Sequence, residues 1–299
     1  MMKKKNFNLT DVTFDLSNII LLSVFMLFCI YPFYYILIYS LSDPQKAITG
    51  ITLLPSGFTF YNYNRILQTD AIYGAALISL LRTVIGTVVT VVCCSLFAYI
   101  LTKPKLYFRK FIYRFLVITM YLNAGLIPFY LTIRAYGLRN NFLVYILPCA
   151  ISAFYIILLK TFIEQLPAAL EESAMIDGAG YLTIFIKVIF PLSMPIIATI
   201  AVFSAVGQWN SWFDNYIFCE KKSLLTLQYI LLNYLQESQK LAAMVTQTSS
   251  AEAFMEQMTV TPESARMTIT MITVFPILLV YPFMQRYFVK GIMLGAVKG

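Results

Sequence analysis

Six long apolar runs constrain this chain more than any other feature. They lie at about Ile19–Ile38, Ala75–Leu101, Phe111–Ile133, Phe142–Ile163, Ile184–Val206 and Thr268–Phe288. Each reaches the roughly 20 residues that a helix needs to cross the hydrocarbon core of a bilayer. Backbone polar groups in lipid have no water to bind, so such runs must satisfy their hydrogen bonds internally, as helices do. Composition agrees, since 12% of residues are charged and mean hydropathy is +0.75, against about 25% charged in soluble domains. The expected fold class is an all-α integral membrane protein with six transmembrane helices.

Topology follows from the basic residues. Of the 22 Lys and Arg, 13 fall on one side: Lys3, Lys4, Lys5, Lys103, Lys105, Arg109, Lys110, Arg114, Lys160, Lys187, Arg286, Lys290 and Lys298. That side is expected to be cytoplasmic and to hold both termini. The divisions are a cytoplasmic segment 1–17, a transmembrane domain 18–288 and a basic cytoplasmic tail 289–299. Within the domain, loop 164–183 faces the cytoplasm and loop 210–267 the outside. The net charge of +8 is explained by this asymmetry. Nucleic-acid binding is not expected, because the basic residues form no patch interleaved with aromatics. The first run is too long for a signal peptide and no small-x-small cleavage site follows it, so it is expected to stay as a helix, kinked near Pro32. Leu224–Leu241 has helical apolar spacing and predicts an external helix, while the polar Ser249–Pro262 would project from the membrane. Arg82, near the start of its span, is expected either to snorkel to the outer surface or to serve the transport pathway.

Histidine is absent, and Cys29, Cys93, Cys94, Cys149 and Cys219 show no zinc spacing and no disulfide framework. An intramembrane enzyme is therefore not expected. An ion-coupled secondary carrier is the alternative transport class, but it calls for ionisable groups in mid-membrane, and the span interiors here hold few.

One polar stretch interrupts the apolar pattern: Glu171-Glu172-Ser173-Ala174-Met175-Ile176-Asp177-Gly178-Ala179-Gly180. Pro167 suits a first helical position, Ala168 to Ile176 are mostly good helix formers, and Gly178 suits the left-handed residue that ends a helix. A second run, Leu182 to Phe190, leads to Pro191. The three carboxylates are either solvated charge, with Asp177 capping the next helix, or a docking element.

The stretch resembles the cytoplasmic loop of ABC importer permeases. Its pattern is Glu-Ala-Ala, three residues, Gly, nine residues, a branched apolar residue, one residue, an apolar residue and Pro. Here it is met by Glu172-Ser173-Ala174, Gly178, Val188, Phe190 and Pro191, with Ser173, Val188 and Phe190 as departures. Asp177-Gly178-Ala179 and Pro195 are similar to the carbohydrate branch, and in particular to the second permease of the maltose importer. The ending Phe288-Val289-Lys290-Gly291 through Gly299, with Trp209-Asn210-Ser211-Trp212-Phe213-Asp214, resembles the sub-branch serving complex or uronic-acid oligosaccharides.

The resemblance implies a type I ABC importer permease fold with a coupling helix, in a bacterial cell membrane, importing oligosaccharide by alternating access. The implied partners are a second homologous permease, a cytoplasmic ATPase pair and an extracellular or periplasmic sugar-binding protein. Glu171, Glu172, Ser173, Ala174, Asp177, Gly178 and Ala179 would contact the ATPase. The chain lacks Gly-x-x-x-x-Gly-Lys-Ser/Thr, so ATP and magnesium belong to the partner and no cofactor to this chain.

Both tryptophans fall in Gln208-Trp209-Asn210-Ser211-Trp212-Phe213-Asp214-Asn215-Tyr216. Such a cluster is either an interfacial aromatic belt or a sugar site, where aromatics stack on pyranose faces and amides and carboxylates bind hydroxyls. Trp209, Asn210, Trp212 and Asp214 are the candidate pathway residues, with Tyr121 and Asn123, beside Tyr130, as a second group. Arg82, Arg134 and Arg139 suit an anionic uronide and equally suit membrane anchoring.

Overall fold

The computed structural model describes residues 9–47, 50, 53–245 and 261–296. The expectations for Lys3–Lys5, for most of Ser249–Pro262 and for the last three residues lie outside them. Regular structure among the described residues is helical, apart from an isolated bridge between Ser42 and Phe58. The chain divides into two units, Met1–Gln68 with Tyr234–Ile272 and Thr69–Asn233 with Thr273–Gly299.

In the first unit, α1 (Leu9–Ser40) is one continuous helix with Pro32 inside it. Residues Thr13 to Tyr34 are exposed, an apolar surface suited to lipid. Its C-terminal carbonyls are satisfied from the following loop. The Asn62 amide donates to Ser40 O at 3.1 Å and Ser42 O at 2.9 Å, from α3 (Tyr61–Leu67). Between them Asp43 caps the short α2 (Pro44–Ala47) through the backbone N–H of Gln45.

The second unit is built on α4 (Asp70–Thr102), an uninterrupted helix of 33 residues. Its buried face carries Ala75, Ser79, Arg82, Thr90, Cys94 and Ala98, with Gly86 also buried. Apart from Arg82 these are small residues, which let neighbouring backbones approach closely. Ile156 and Leu159 of α7 (Ala153–Ile163) and Ile197 and Ile200 of α11 (Met194–Asn210) complete the core.

Three of the six expected spans are single helices: Thr13–Ser40, Ala71–Thr102 and Pro262–Pro282, the last within α14 (Pro262–Ala296). The other three are broken. The run expected at 111–133 turns by 118° between α5 (Arg109–Tyr121) and α6 (Leu126–Ala135). There Gly125 takes φ +83° and its N–H donates to Asn123 Oδ1 at 2.9 Å. The fourth run bends by 46° after Pro148, and the fifth by 81° at Ser193, between Pro191 and Pro195. Proline lacks an N–H and blocks the preceding turn, so these breaks fall where the helical ladder is already weakened. The backbone freed at the 46° break is met by α4: Thr90 Oγ1 donates to Cys149 O at 2.9 Å and Cys94 Sγ accepts from Ser152 N at 3.4 Å. Neighbouring side chains thus replace the water that lipid withholds.

Candidate functional site

Two clusters sit along α4, one part-way along the helix and one just past its last residue. Arg82 belongs to one and Lys103 to the other, 21 residues apart in the sequence, or about 30 Å along a helix. That is the thickness of a hydrocarbon core.

At the first cluster, Arg82 does not snorkel. It is 1% exposed, and its guanidinium is met on every side. Nη1 donates to Asp214 Oδ1 at 3.1 Å and to Ser211 O at 3.2 Å, and Nη2 donates to Asp214 Oδ2 at 2.5 Å. Nε and Nη2 both donate to Gln208 Oε1, at 3.2 and 3.1 Å. Gln208 Nε2 donates in turn to Tyr145 O at 3.1 Å, and the guanidinium lies 4.4 Å from the Tyr145 ring centroid. A charge this deep persists only when paired and hydrogen-bonded. The network joins α4, the end of α11, the loop at Ser211 and α12 (Phe213–Phe218). Gly86 makes room for it, because a Cβ there would lie 2.7 Å from Gln208 Nε2.

The candidate pathway residues divide by what already holds them. Asp214 is bound to Arg82, to the Ser211 hydroxyl at 3.0 Å and to the Asn215 N–H at 2.9 Å. The Trp209 indole donates to Thr273 O at 3.0 Å, and Asn210 Oδ1 accepts from Gln228 at 3.3 Å. Asn123 serves the turn at Gly125, while Tyr121 is exposed. Trp212 is 40% exposed and lies edge-on to Tyr216, centroids 6.2 Å apart; Tyr216 in turn meets Tyr229 at 6.4 Å. Tyr216 also lines a pocket of about 390 Å³ with Ile127 and Tyr130 of α6, so a neighbour of each candidate group borders it, but Trp209, Asn210, Trp212, Asp214, Tyr121 and Asn123 do not. Tyr130 stacks on Phe218 at 5.8 Å. Of the basic residues read for an anionic sugar, Arg82 is enclosed, Arg139 pairs with Glu220, and Arg134 has no carboxylate partner among the described residues. Arg134 stands one helical turn beyond Tyr130 on α6, on the same side of the helix. Cys219 is buried, and burial raises its thiol pKa, so it is a packed residue rather than a reactive one.

At the second cluster, Lys103 forms an ion pair with Glu171 and lies 3.8 Å from the Tyr99 ring centroid. Glu171 is on α8 (Ala168–Ile176), which Pro167 precedes as the capping residue rather than as the first helical one. The helix ends as expected at Gly178, with φ +79°. The Gly178 N–H donates to Met175 O and the Ala179 N–H to Ala174 O, both at 3.0 Å, which is the Schellman arrangement. Asp177 does not cap the next helix, whose first residue follows Gly180. Ala174 and Ala179 pack against the core, whereas Glu172, Ser173 and Ile176 are exposed. Ile176 is 86% exposed. Glu172 and Ile176, four apart, share one outward face.

This geometry has close counterparts. The model of the family described as binding-protein-dependent transport system inner membrane component matches residues 91–213. The chain is 36% identical over 287 residues to the polygalacturonan/rhamnogalacturonan transport system permease protein YtcP of Bacillus subtilis, covering 96% of this chain and 98% of that one. The chain belongs to this permease family. Protein LplC of Bacillus subtilis is 33% identical over 288 residues, covering 96% and 95%. A crystal structure of a bacterial ABC transporter involved in the import of the acidic polysaccharide alginate superposes with a TM-score of 0.83 at 29% identity, covering 95% of this chain and all of that one.

The permease therefore has the type I ABC importer fold and is a multi-pass membrane transport subunit, not an enzyme. ATP is hydrolysed by a separate subunit. An ion-coupled carrier is not favoured, and Arg82, the one deeply buried cation among the described residues, is closed by its own carboxylate. Sequence reading found Gln208 and Tyr216 within the tryptophan motif but passed over Tyr145 and Gly86. Gly86 carried a faint signal as a glycine inside a long apolar helix, and Tyr145 carried none.

Proposed function

We propose that the permease imports an acidic oligosaccharide by alternating access, driven by ATPase subunits that engage α8. A second permease would complete the pathway, and a sugar-binding protein would deliver substrate on the side of Trp212. Both termini and the loop around Glu172–Gly178 would then be cytoplasmic, as the basic residues suggest.

One observation carries the mechanism. The single helix α4 is tied to α8 through Lys103–Glu171 and to the Trp209–Tyr216 segment through Arg82–Asp214. A push on α8 is thereby felt about 30 Å away, at the Arg82 network, by rigid-body movement. The outward face of α8 supports the docking role, since an isoleucine left exposed beside a glutamate outside the bilayer suits an interface. For the substrate, Trp212 and Tyr216 offer pyranose stacking and Arg134 offers a partner for a carboxylate. The acidic glycans named for YtcP and for the alginate transporter support the same class.

The test is reconstitution. The tagged chain would be co-purified with its partners, placed in proteoliposomes and assayed for ATP-dependent uptake of galacturonide oligomers. Glu172→Lys and Gly178→Asp should leave membrane insertion intact and abolish uptake. Normal uptake in both variants would refute coupling through α8, and recovery of the chain without any ATPase would refute the importer assembly.

A further inference from the structure

A second pocket, of about 720 Å³, lies on the α8 side, between the segment joining α4 to α5 and Lys160 of α7. Four cations border it: Arg109, Lys110, Arg114 and Lys160. A single carboxylate, Glu164, serves two of them, accepting from Arg109 at 3.1 Å and from Lys160 at 2.7 Å. Lys160 also lies 4.7 Å from the Tyr113 ring centroid. Lys110 and Arg114 are exposed, stand four apart on α5, and have no carboxylate partner among the described residues. Arg109 and Lys110 occupy the first turn of α5, where the helix dipole opposes positive charge and favours an anion.

The apolar surroundings narrow the choice of anion. Phe111 and Phe115 of α5 are exposed and stack with centroids 6.4 Å apart, and Ile118 continues the same exposed row. The basic pocket thus opens at the head of an apolar ladder on a chain that spans a membrane. Basic pockets at the cytoplasmic ends of transmembrane helices suit lipid headgroups, whereas a free anion has no use for the ladder.

We propose that this pocket binds the phosphate of an anionic phospholipid such as phosphatidylglycerol, with the acyl chains lying along Phe111, Phe115 and Ile118. Lys110 and Arg114 hold the phosphate, and Glu164 keeps Arg109 and Lys160 in place at the rim.

The experiment uses the full chain purified in a non-ionic detergent. Lipid retention is read by native mass spectrometry during titration with phosphatidylglycerol, phosphatidylcholine or inorganic phosphate. Phosphatidylglycerol should be retained selectively. The double variant K110Q/R114Q should weaken that retention roughly tenfold or more, since each cation near a headgroup contributes about fivefold. K222Q, at a basic residue outside the pocket, should leave it unchanged, and F111S/F115S should weaken lipid retention without affecting inorganic phosphate. Equal retention of the two lipids, or unchanged phosphatidylglycerol retention in K110Q/R114Q of normal thermal stability, overturns the proposal. Inorganic phosphate binding as tightly as phosphatidylglycerol also overturns it, by assigning the site to a free anion.

Discussion

Arg82 and Asp214, 132 residues apart in the sequence, meet in a two-pronged ion pair whose cation is sealed from solvent. The two partners are not equivalent, because the Arg82 side chain is 1% exposed and that of Asp214 20%. Asp214→Asn strands a buried guanidinium and should cost about 3–5 kcal/mol. Arg82→Met strands a carboxylate that still has the Ser211 hydroxyl, the Asn215 N–H and some water, so it should cost less. Removing both charges, as R82M/D214L, should be less damaging than Asp214→Asn alone, because a fully apolar replacement of a buried pair is often near neutral. Thermal midpoints of the three purified variants in detergent check this order. A double variant less stable than both singles would mean that the pair's attraction outweighs its desolvation cost.

Gly86 and Gly207 separate close approach from helix propensity. A Cβ on Gly86 would lie 2.7 and 2.8 Å from Gln208 Nε2 and Cδ, whereas one on Gly207 meets nothing within 4 Å. Gly86→Ala should push Gln208 aside and loosen its bonds to Arg82 and to the Tyr145 carbonyl. The expected loss is about 1–3 kcal/mol, the cost of unsatisfied buried polar groups. Gly207→Ala, in the interior of α11, should be neutral or gain up to about 1 kcal/mol. Thermal midpoints that move in the same direction for both glycines would show that Gln208 can relax without loss.

The sequence disclosed most about features that are local. Gly178 ends α8 as expected because a left-handed residue after a helix is a short-range requirement that glycine meets without penalty. The six apolar runs were located because burial in lipid demands length and low charge, both visible in a window of twenty residues. Such an average does not register where a run breaks. Pro128, Pro148, Pro191 and Pro195 lie beside the three bends, yet Pro32, Pro276 and Pro282 lie inside continuous helices. What decides between these outcomes is the neighbouring surface. Thr90 and Cys94 on α4 supply bonds to the broken segment at 149–152, and nothing in the proline's own vicinity reveals them. Arg82 misled for the same reason. Its place near the start of a span suited an anchor, and its partners lie in another element entirely.

Arg134 and Arg139 offer a direct test of the proposed substrate class. Arg134 is in the last turn of α6 and Arg139 in the turns that follow it, but Arg139 already pairs with Glu220, while Arg134 has no carboxylate partner among the described residues. Arg134 stands one turn from Tyr130, which lines the pocket shared with Tyr216. If a substrate carboxylate is read there, Arg134→Gln removes one charge-assisted hydrogen bond, worth about 1.5–3 kcal/mol. Uptake of a galacturonide oligomer at limiting concentration should then fall roughly tenfold or more, with little change for a neutral oligosaccharide. Arg139→Gln should change neither uptake by more than about twofold, because an exposed pair contributes little. Arg134 is exposed, so its replacement should leave the thermal midpoint where it was. An equal loss for charged and neutral sugars would make Arg134 a general pathway residue, and recognition of the carboxylate would then have to be sought on the partner permease.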